Sequence, residues 1–205
     1  MFPSHDKVGF ADVVAGTIVV DSTADTTVDA DGECTLREAI INANAQGAEL
    51  SGGDCAPSAT GTNTINFNIA GGCPQTISPL SALPDITSSV IINGYSQTGA
   101  QENSAPSPQP FNGTICITLS GANAGPVDGF TIKSSNNSTI KGLAINDFQH
   151  AGIRLDTSNT NKISGNYIGT NSEGNTAIAN QQSGILITNT SANNSVGGTL
   201  AAGIS

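Results

Sequence analysis

The segments GFTI, GIRL and GILI, at residues 129–132, 152–155 and 184–187, fall in one frame with STIKG, NKISG and NSVGG at 138–142, 161–165 and 194–198. A chain that returns to one pattern every ~20 to 50 residues builds one supersecondary unit per repeat and stacks the units, so that each buries the apolar face of its neighbour. The first step here is 23 residues and the second is 32 or 33, because GTNSEGNTAIAN, residues 169–180, inserts as a loop. Ile132, Ile140 and Ile145 are expected to lie over Ile153, Ile163 and Ile168, which leaves each strand to satisfy its backbone from the strands on either side. Asn136, Asn137, Asn161, Asn193 and Asn194 recur at one corner of the repeat, where a left-handed residue and a side-chain amide suit a tight bend.

Ahead of the strand-like runs stands one helical pattern, CTLREAIINANA, residues 34–45. Thr35 and Glu38 have capping-box spacing, and Leu36, Ala39, Ile40 and Ala43 then share one helical face. A lone amphipathic helix must lay that face on something. A helix over 36–45 is expected to cap the open end of the first coil.

CTLREAI resembles the CSLREA-type N-terminal region of secreted bacterial β-helix proteins. IINGYSQTGA, STIKGLAINDF and NKISGNYIGTNSEGNTAIAN followed by GILI are similar to the repeats downstream of that motif, so the resemblance spans about residues 17–200. It implies an exported all-β protein whose fold is a right-handed parallel β-helix, a solenoid of the pectin-lyase-like type, behind an N-terminal amphipathic capping helix. It implies no single activity, because that fold hosts lyases, hydrolases, binding modules and adhesins. One domain is expected, with an extension over 1–16, a capping region over 17–62 and coils over 63–205. Early strands are expected near 17–21, 63–69, 75–80, 89–93 and 114–119, and the tract 97–113 as a mobile Pro/Ser/Gln loop.

Charged residues make up 11% of the chain, against ~25% in ordinary domains, and aromatics 4%. The regular spacing of Ile, Leu, Val and Phe argues for a packed, narrow interior rather than disorder. A net charge of −10 with six Lys and Arg excludes nucleic acid and anionic membrane surfaces as partners, since both reward basic patches. No apolar run approaches the ~18 residues that a membrane span needs. MFPSHDKVGF lacks the basic start and apolar core of a secretory signal, so an exported product is expected to have had its signal removed or to carry it upstream.

Cys34, Cys55, Cys73 and Cys116 allow three pairings. Their intervals of 21, 18 and 43 contain no CxxC and no neighbouring His, which disfavours zinc; free buried thiols are the other alternative. Pairing Cys34 with Cys55 would staple the cap helix to the SGGDC loop, and Cys73 with Cys116 would tie the early coils across the loop over 95–113.

The dense polar cluster is Asp147, His150, Arg154 and Asp156. Strand alternation turns Arg154 and Asp156 outward together, while Asp147 and His150 occupy the preceding turn and could reach the same face. These four are the catalytic candidates if the chain is a polysaccharide lyase or glycoside hydrolase. The plainer reading is a solvated salt-bridge patch, because there is no clustered Asp pattern like that of polygalacturonases on this fold and no lyase arginine motif. Asp21, Asp25, Asp29 and Asp31, with Glu33, could gather calcium ligands, although the EF-hand pattern is absent and an acidic solvated loop is the simpler account. NSEGN, 171–175, has too few acids for calcium, and His5 is an ordinary residue of the terminal extension. No other cofactor is indicated. Asn112, Asn136, Asn137, Asn189 and Asn193 open N-x-S/T sequences that an Asn- and Ser/Thr-rich turn generates by composition alone.

The expected function is that of a secreted or cell-surface module presenting an elongated face for adhesion or weak glycan contact, with an extracellular glycan or surface protein as partner. A polysaccharide-cleaving enzyme and a structural spacer are the alternatives. With no Trp and only Tyr95 and Tyr167, sugar binding would rest on polar turn residues and be weak. VGGTLAAGIS, 196–205, has no charged or helical closing segment, so the expectation is that the sequence belongs to a longer protein or, as the alternative, that the C-terminal coil docks another subunit or domain.

Overall fold

A computed structural model of the protein describes residues 16–27, 30–105, 109, 110 and 112–197. The described chain is mostly β. Strand β1, Thr17–Val20, precedes the single helix α1, Leu36–Ala45; β2, Asn63–Phe67, β3, Gln75–Ile77, β4, Val90–Asn93, and β5, Ile117–Ser120, follow. Then come β6, Phe130–Lys133, β7, Thr139–Lys141, β8, Leu143–Asn146, β9, Ala151–Asp156, and β10, Lys162–Ser164. β11, Tyr167–Ile168, β12, Ser183–Thr188, and β13, Ser195–Val196, complete the set. The strands form three parallel sheets, in the orders β1-β2-β4-β7-β10-β13, β11-β8-β5-β3 and β12-β9-β6.

The expected right-handed parallel β-helix, a solenoid of coils over 63–205, is corrected by this topology to three parallel sheets of six, four and three strands beside one helix. They do not make up a closed solenoid of equal coils. Between β2 and β4 the chain supplies β3 but no strand of the third sheet, where the contact is reduced to one parallel bridge, Ile86 to Ile132. The cause is legible in SPLSALPDITSS, residues 78–89, whose two prolines cannot donate to a ladder and so break a strand there.

Register explains the core. Along the six-stranded sheet Ile18, Ile65, Ile92, Ile140, Ile163 and Val196 lie opposite one another in turn. Ile77, Leu119, Ile145 and Ile168 form the second row. In the third sheet Ile132 lies over Leu155, and Phe130 over Ile153. The expected pairing of Ile132 with Ile153 was therefore two residues out. A slip of two keeps the same residues inward, so hydrophobicity alone does not fix it. The glycines do: a Cβ on Gly129 would come within 2.3 Å of the Gly152 carbonyl oxygen, and one on Gly152 within 3.0 Å of that of Gly184. Backbones stacked that closely align the three repeats through their glycines. Each fully buried Ile of these rows contributes roughly 1.5–3 kcal/mol of transfer free energy.

Asparagines link the corners. The Val90 amide donates to Ser138 Oγ at 3.1 Å, the Ser138 amide to Asn161 Oδ1 at 2.8 Å, and the Asn161 amide to Asn194 Oδ1 at 2.9 Å. A second file runs from the Asn159 amide to Asn136 Oδ1 and from the Ala192 amide to Asn159 Oδ1, each at 2.7 Å. Side chains here take over the ladder where the backbone turns.

At the other end α1 packs Leu36, Ala39, Ile40 and Ala43 against β1 and β2. Its N-terminus carries a full capping box, with Thr35 Oγ1 accepting from the Glu38 amide at 3.3 Å and Glu38 Oε2 from the Thr35 amide at 2.9 Å. Cys34 is bonded to Cys55 and Cys73 to Cys116. On the chain-entropy account each closed loop contributes about 3 to 4 kcal/mol. The tract over 97–113, read as mobile, is tied at its ends by a Gln101–Thr114 bridge and by Asn112 Oδ1, which accepts from the Ser104 amide. Residues 106–108 and 111 of that tract lie outside the described residues.

Candidate functional site

Strand pairing puts Arg154 between Thr131 and Leu186, and Asp156 between Lys133 and Thr188, on the outward face of the three-stranded sheet. Arg154 reaches Asp156 Oδ2 at 3.3 Å and Asp128 Oδ2 at 3.8 Å. Asp128 also accepts from the Ala151 amide at 2.8 Å, and Asp156 from Asn189 Nδ2 at 2.7 Å. The hydrogen bond from Asn189, helped by Thr157 and Arg154, holds the Asp156 carboxyl below the usual carboxylate range. Lys133 pairs with Asp85 at 3.0 Å, which raises its pKa.

Of the four expected cluster members, two meet. Asp147 sits in the turn before β9 with φ of 60°, and neither it nor His150 makes a side-chain hydrogen bond or ion pair with the others among the described residues. Asp128 takes the place expected for them. The repeat frame held the signal, since Asp128 precedes Gly129 as Ala151 precedes Gly152 and its side chain caps that aligned amide. A guanidinium between two carboxylates braces this face of the sheet.

The acidic loop is likewise taken up by structure. Asp21 Oδ1 accepts from the Cys34 amide at 2.8 Å, and Asp25 forms a bidentate pair with Arg37 and accepts from the Leu80 amide. Asp31 Oδ1 accepts from the Glu33 amide, while the Asp31 and Gly32 amides donate to Asp54. Asp29 lies outside the described residues. Among the described residues no three acids, histidines or cysteines converge as metal ligands, so Asp21, Asp25 and Asp31 are not brought together as one set.

A cleft of about 360 Å³ opens elsewhere, bordered by the four-stranded sheet at Tyr167 of β11. Cys73, Pro74 and the 113–115 segment next to Cys116 line one part, and Ser172 and Glu173 from the 169–180 insertion line another. Tyr167 of β11 completes it. Tyr95 stands close by, its hydroxyl donating to the Gly165 carbonyl at 2.7 Å; burial, with Glu102 and Tyr167 adding to it, pushes its pKa up to about 12. The sequence signal for this site was the insertion itself, but nothing local tied it to Cys73, Pro74 and the 113–115 segment.

No helix among the described residues is long and apolar enough to cross a membrane. The inward positions of the last strands are open: Ile187 is 47% exposed and Val196 54%, where their partners one strand earlier, Leu155 and Ile163, are 0% and 2%. The uncapped tail expected over 196–205 lies, from residue 198, outside the described residues. Searched against models of known families, curated proteins and solved structures, the chain matches none.

Proposed function

We propose that the protein is a secreted or cell-surface binding module that contacts extracellular glycans and does not cleave them. The observation that carries this reading is the engagement of Arg154 by Asp128 and Asp156, which commits two of the four expected catalytic residues to the sheet face, with Asn189 holding the Asp156 carboxyl low. The two disulfides fit an oxidising compartment, and the resemblance of CTLREAI to the CSLREA-type region supports export. The −10 net charge supports an uncharged partner over nucleic acid or anionic lipid.

One feature favours a second reading, that of a polysaccharide lyase or glycoside hydrolase: among the described residues Arg154 Nε is buried without a hydrogen-bond partner, an unsatisfied donor of the kind that functional sites retain. The two readings separate in one experiment. Purified protein is expected to co-sediment with, or be retained on, at least one of four neutral polysaccharides, xylan, mannan, galactan and cellulose, and to release no reducing ends or unsaturated products from these or from pectate, alginate or hyaluronan, with or without calcium. Turnover that disappears in Arg154→Ala or His150→Ala would establish the enzyme, and retention on none of the four would end the glycan reading.

A further inference from the structure

The cleft beside the Cys73–Cys116 bridge has the size, lining and sign of charge of a saccharide subsite. Its volume of about 360 Å³ lies at the lower end of the ~300–1,000 Å³ range of small-molecule sites, enough for one or two sugar rings. We infer that this cleft binds a neutral pyranoside unit, with the Tyr167 ring against the sugar's C–H face and Glu173, Ser172 and Thr114 taking its hydroxyls. The inference rests on the reading of the protein as a glycan-contacting module.

Three observations carry it. The first is the ring. Tyrosine offers a large, stiff apolar face with a polar tip, the combination that suits a sugar's mixed surface. Tyr167 is fixed in β11 by its pairing with Ala144, and Gly174 lies so close that a Cβ there would come within 2.8 Å of Tyr167 Cζ. The ring is held in place before any ligand arrives.

The second observation is the polar set. A carboxylate only accepts, and two adjacent sugar hydroxyls can both donate to one; hydroxyls such as those of Ser172 and Thr114 donate and accept, matching the rest of a diol. Among the described residues no lysine or arginine lines the cleft, and Lys141 is already paired with Glu102. A uronate or sulfated sugar would therefore bring its negative charge to Glu173 without a cation to meet it, on a chain of net charge −10.

Preorganisation is the third. The Cys73–Cys116 bridge anchors the 113–115 side. The insertion is knotted by Asn171, whose Oδ1 accepts from the amides of Asn175 and Thr176, and by the Thr170–Ala177 bridge. Binding then orders little that is not already ordered, which is what a shallow site with an exposed Glu173 needs to reach a Kd of about 1 mM.

The test is a ¹H–¹⁵N titration of the whole chain with the methyl glycosides of glucose, galactose, mannose and N-acetylglucosamine, alongside galacturonate and glucuronate. At least one neutral glycoside should shift amides at 113–115 and 172–174. Its affinity should fall about tenfold in Glu173→Gln, an exposed position that leaves the fold untouched, and be lost in Tyr167→Ala. Lys162→Ala, on the six-stranded sheet, should leave it unchanged. Neutral binding that maps elsewhere, or that survives Glu173→Gln, would overturn the cleft assignment and leave the module reading standing. Preference for the uronates would overturn the ligand class. If no monosaccharide perturbs any amide, the subsite does not exist, whereas the module reading is judged separately by retention on the polysaccharides.

Discussion

Arg37 of α1 and Asp25 of the preceding loop form two parallel hydrogen bonds of 2.8 Å, with only 13% and 5% of their side chains exposed. The same guanidinium donates to the Ala82 and Ser81 carbonyls, and Asp25 accepts from the Leu80 amide, so this pair clasps the capping helix to the proline-bearing segment. Removing one partner leaves a charge away from water without its counterion, which typically costs 3–5 kcal/mol. Arg37→Ala is accordingly expected to lower the unfolding free energy in urea by about 3 kcal/mol. Lys133→Ala, which breaks an exposed pair, should leave it unchanged within error. Equal effects of the two variants would mean that the clasp is not structural.

Asn161 makes a comparable prediction in neutral chemistry. Its Oδ1 accepts from the Ser138 amide and its Nδ2 donates to Ser158 Oγ and Asn194 Oδ1, while the residue is 1% exposed. Asn161→Ala strands a buried amide donor and should cost about 2–3 kcal/mol. Asn136 accepts from the Asn159 amide at an exposed position, where water can replace it, so Asn136→Ala should cost well under ~1 kcal/mol. Thermal unfolding of both variants checks the ordering.

Local signals in the sequence were the dependable ones. Thr35 and Glu38 announce the helix start at a spacing set by one turn of helix, and Ile140 and Ile163 announce a shared row because the repeat carries them in one frame. Closure into equal coils did not follow from the same frame, because Pro79 and Pro84 remove the strand that would have completed the early passes. The charged cluster was half legible. Arg154 and Asp156 share a face by strand alternation, but Asp128 enters through side-chain reach across the sheet and displaces Asp147 and His150. The cleft was the least legible, since Thr114 and Glu173 line it from segments far apart in the chain.

Glu38 gives a pH dependence of definite sign. It is 2% exposed, its Oε1 has no hydrogen-bond partner among the described residues, and burial outweighs the hydrogen bonds from Thr35 to hold its pKa above the ordinary value of 4.5. A raised folded pKa means that the folded chain binds this proton more tightly than the unfolded one. The stabilisation is fully present below 4.5 and is lost as pH rises through the folded value. Glu38→Gln keeps a capping-box acceptor without the titration. The stability difference between wild type and Glu38→Gln should therefore move in favour of wild type as pH falls from neutral towards 4.5. Asp156, whose pKa is lowered, acts in the opposite direction but is common to both proteins and cancels. Movement towards the variant on acidification would refute the assignment to Glu38.

Val196 ends the row that begins at Ile18, and exposure along that row runs from 0% at Ile18, Ile65, Ile92 and Ile140 through 2% at Ile163 to 54% at Val196. The third sheet does the same, with Leu155 at 0% and its neighbour Ile187 at 47%. Among the described residues β12 pairs only with β9, and β13 only with β10, so each presents one unpaired edge. Local opening is easiest where few apolar contacts and exposed backbone bonds coincide. Amides of β12 and β13 should exchange faster than those of β7 and β8 under native conditions. Ile140→Ala should cost about 3–4 kcal/mol, as deletions in a filled core do, and Val196→Ala should cost little, because there is no packed cavity to leave behind. An exposed apolar edge also recruits other strands, so sedimentation should show association that rises with protein concentration and is weakened by Val196→Lys. Uniformly slow exchange through Val196 in a strictly monomeric species would show that this edge is closed.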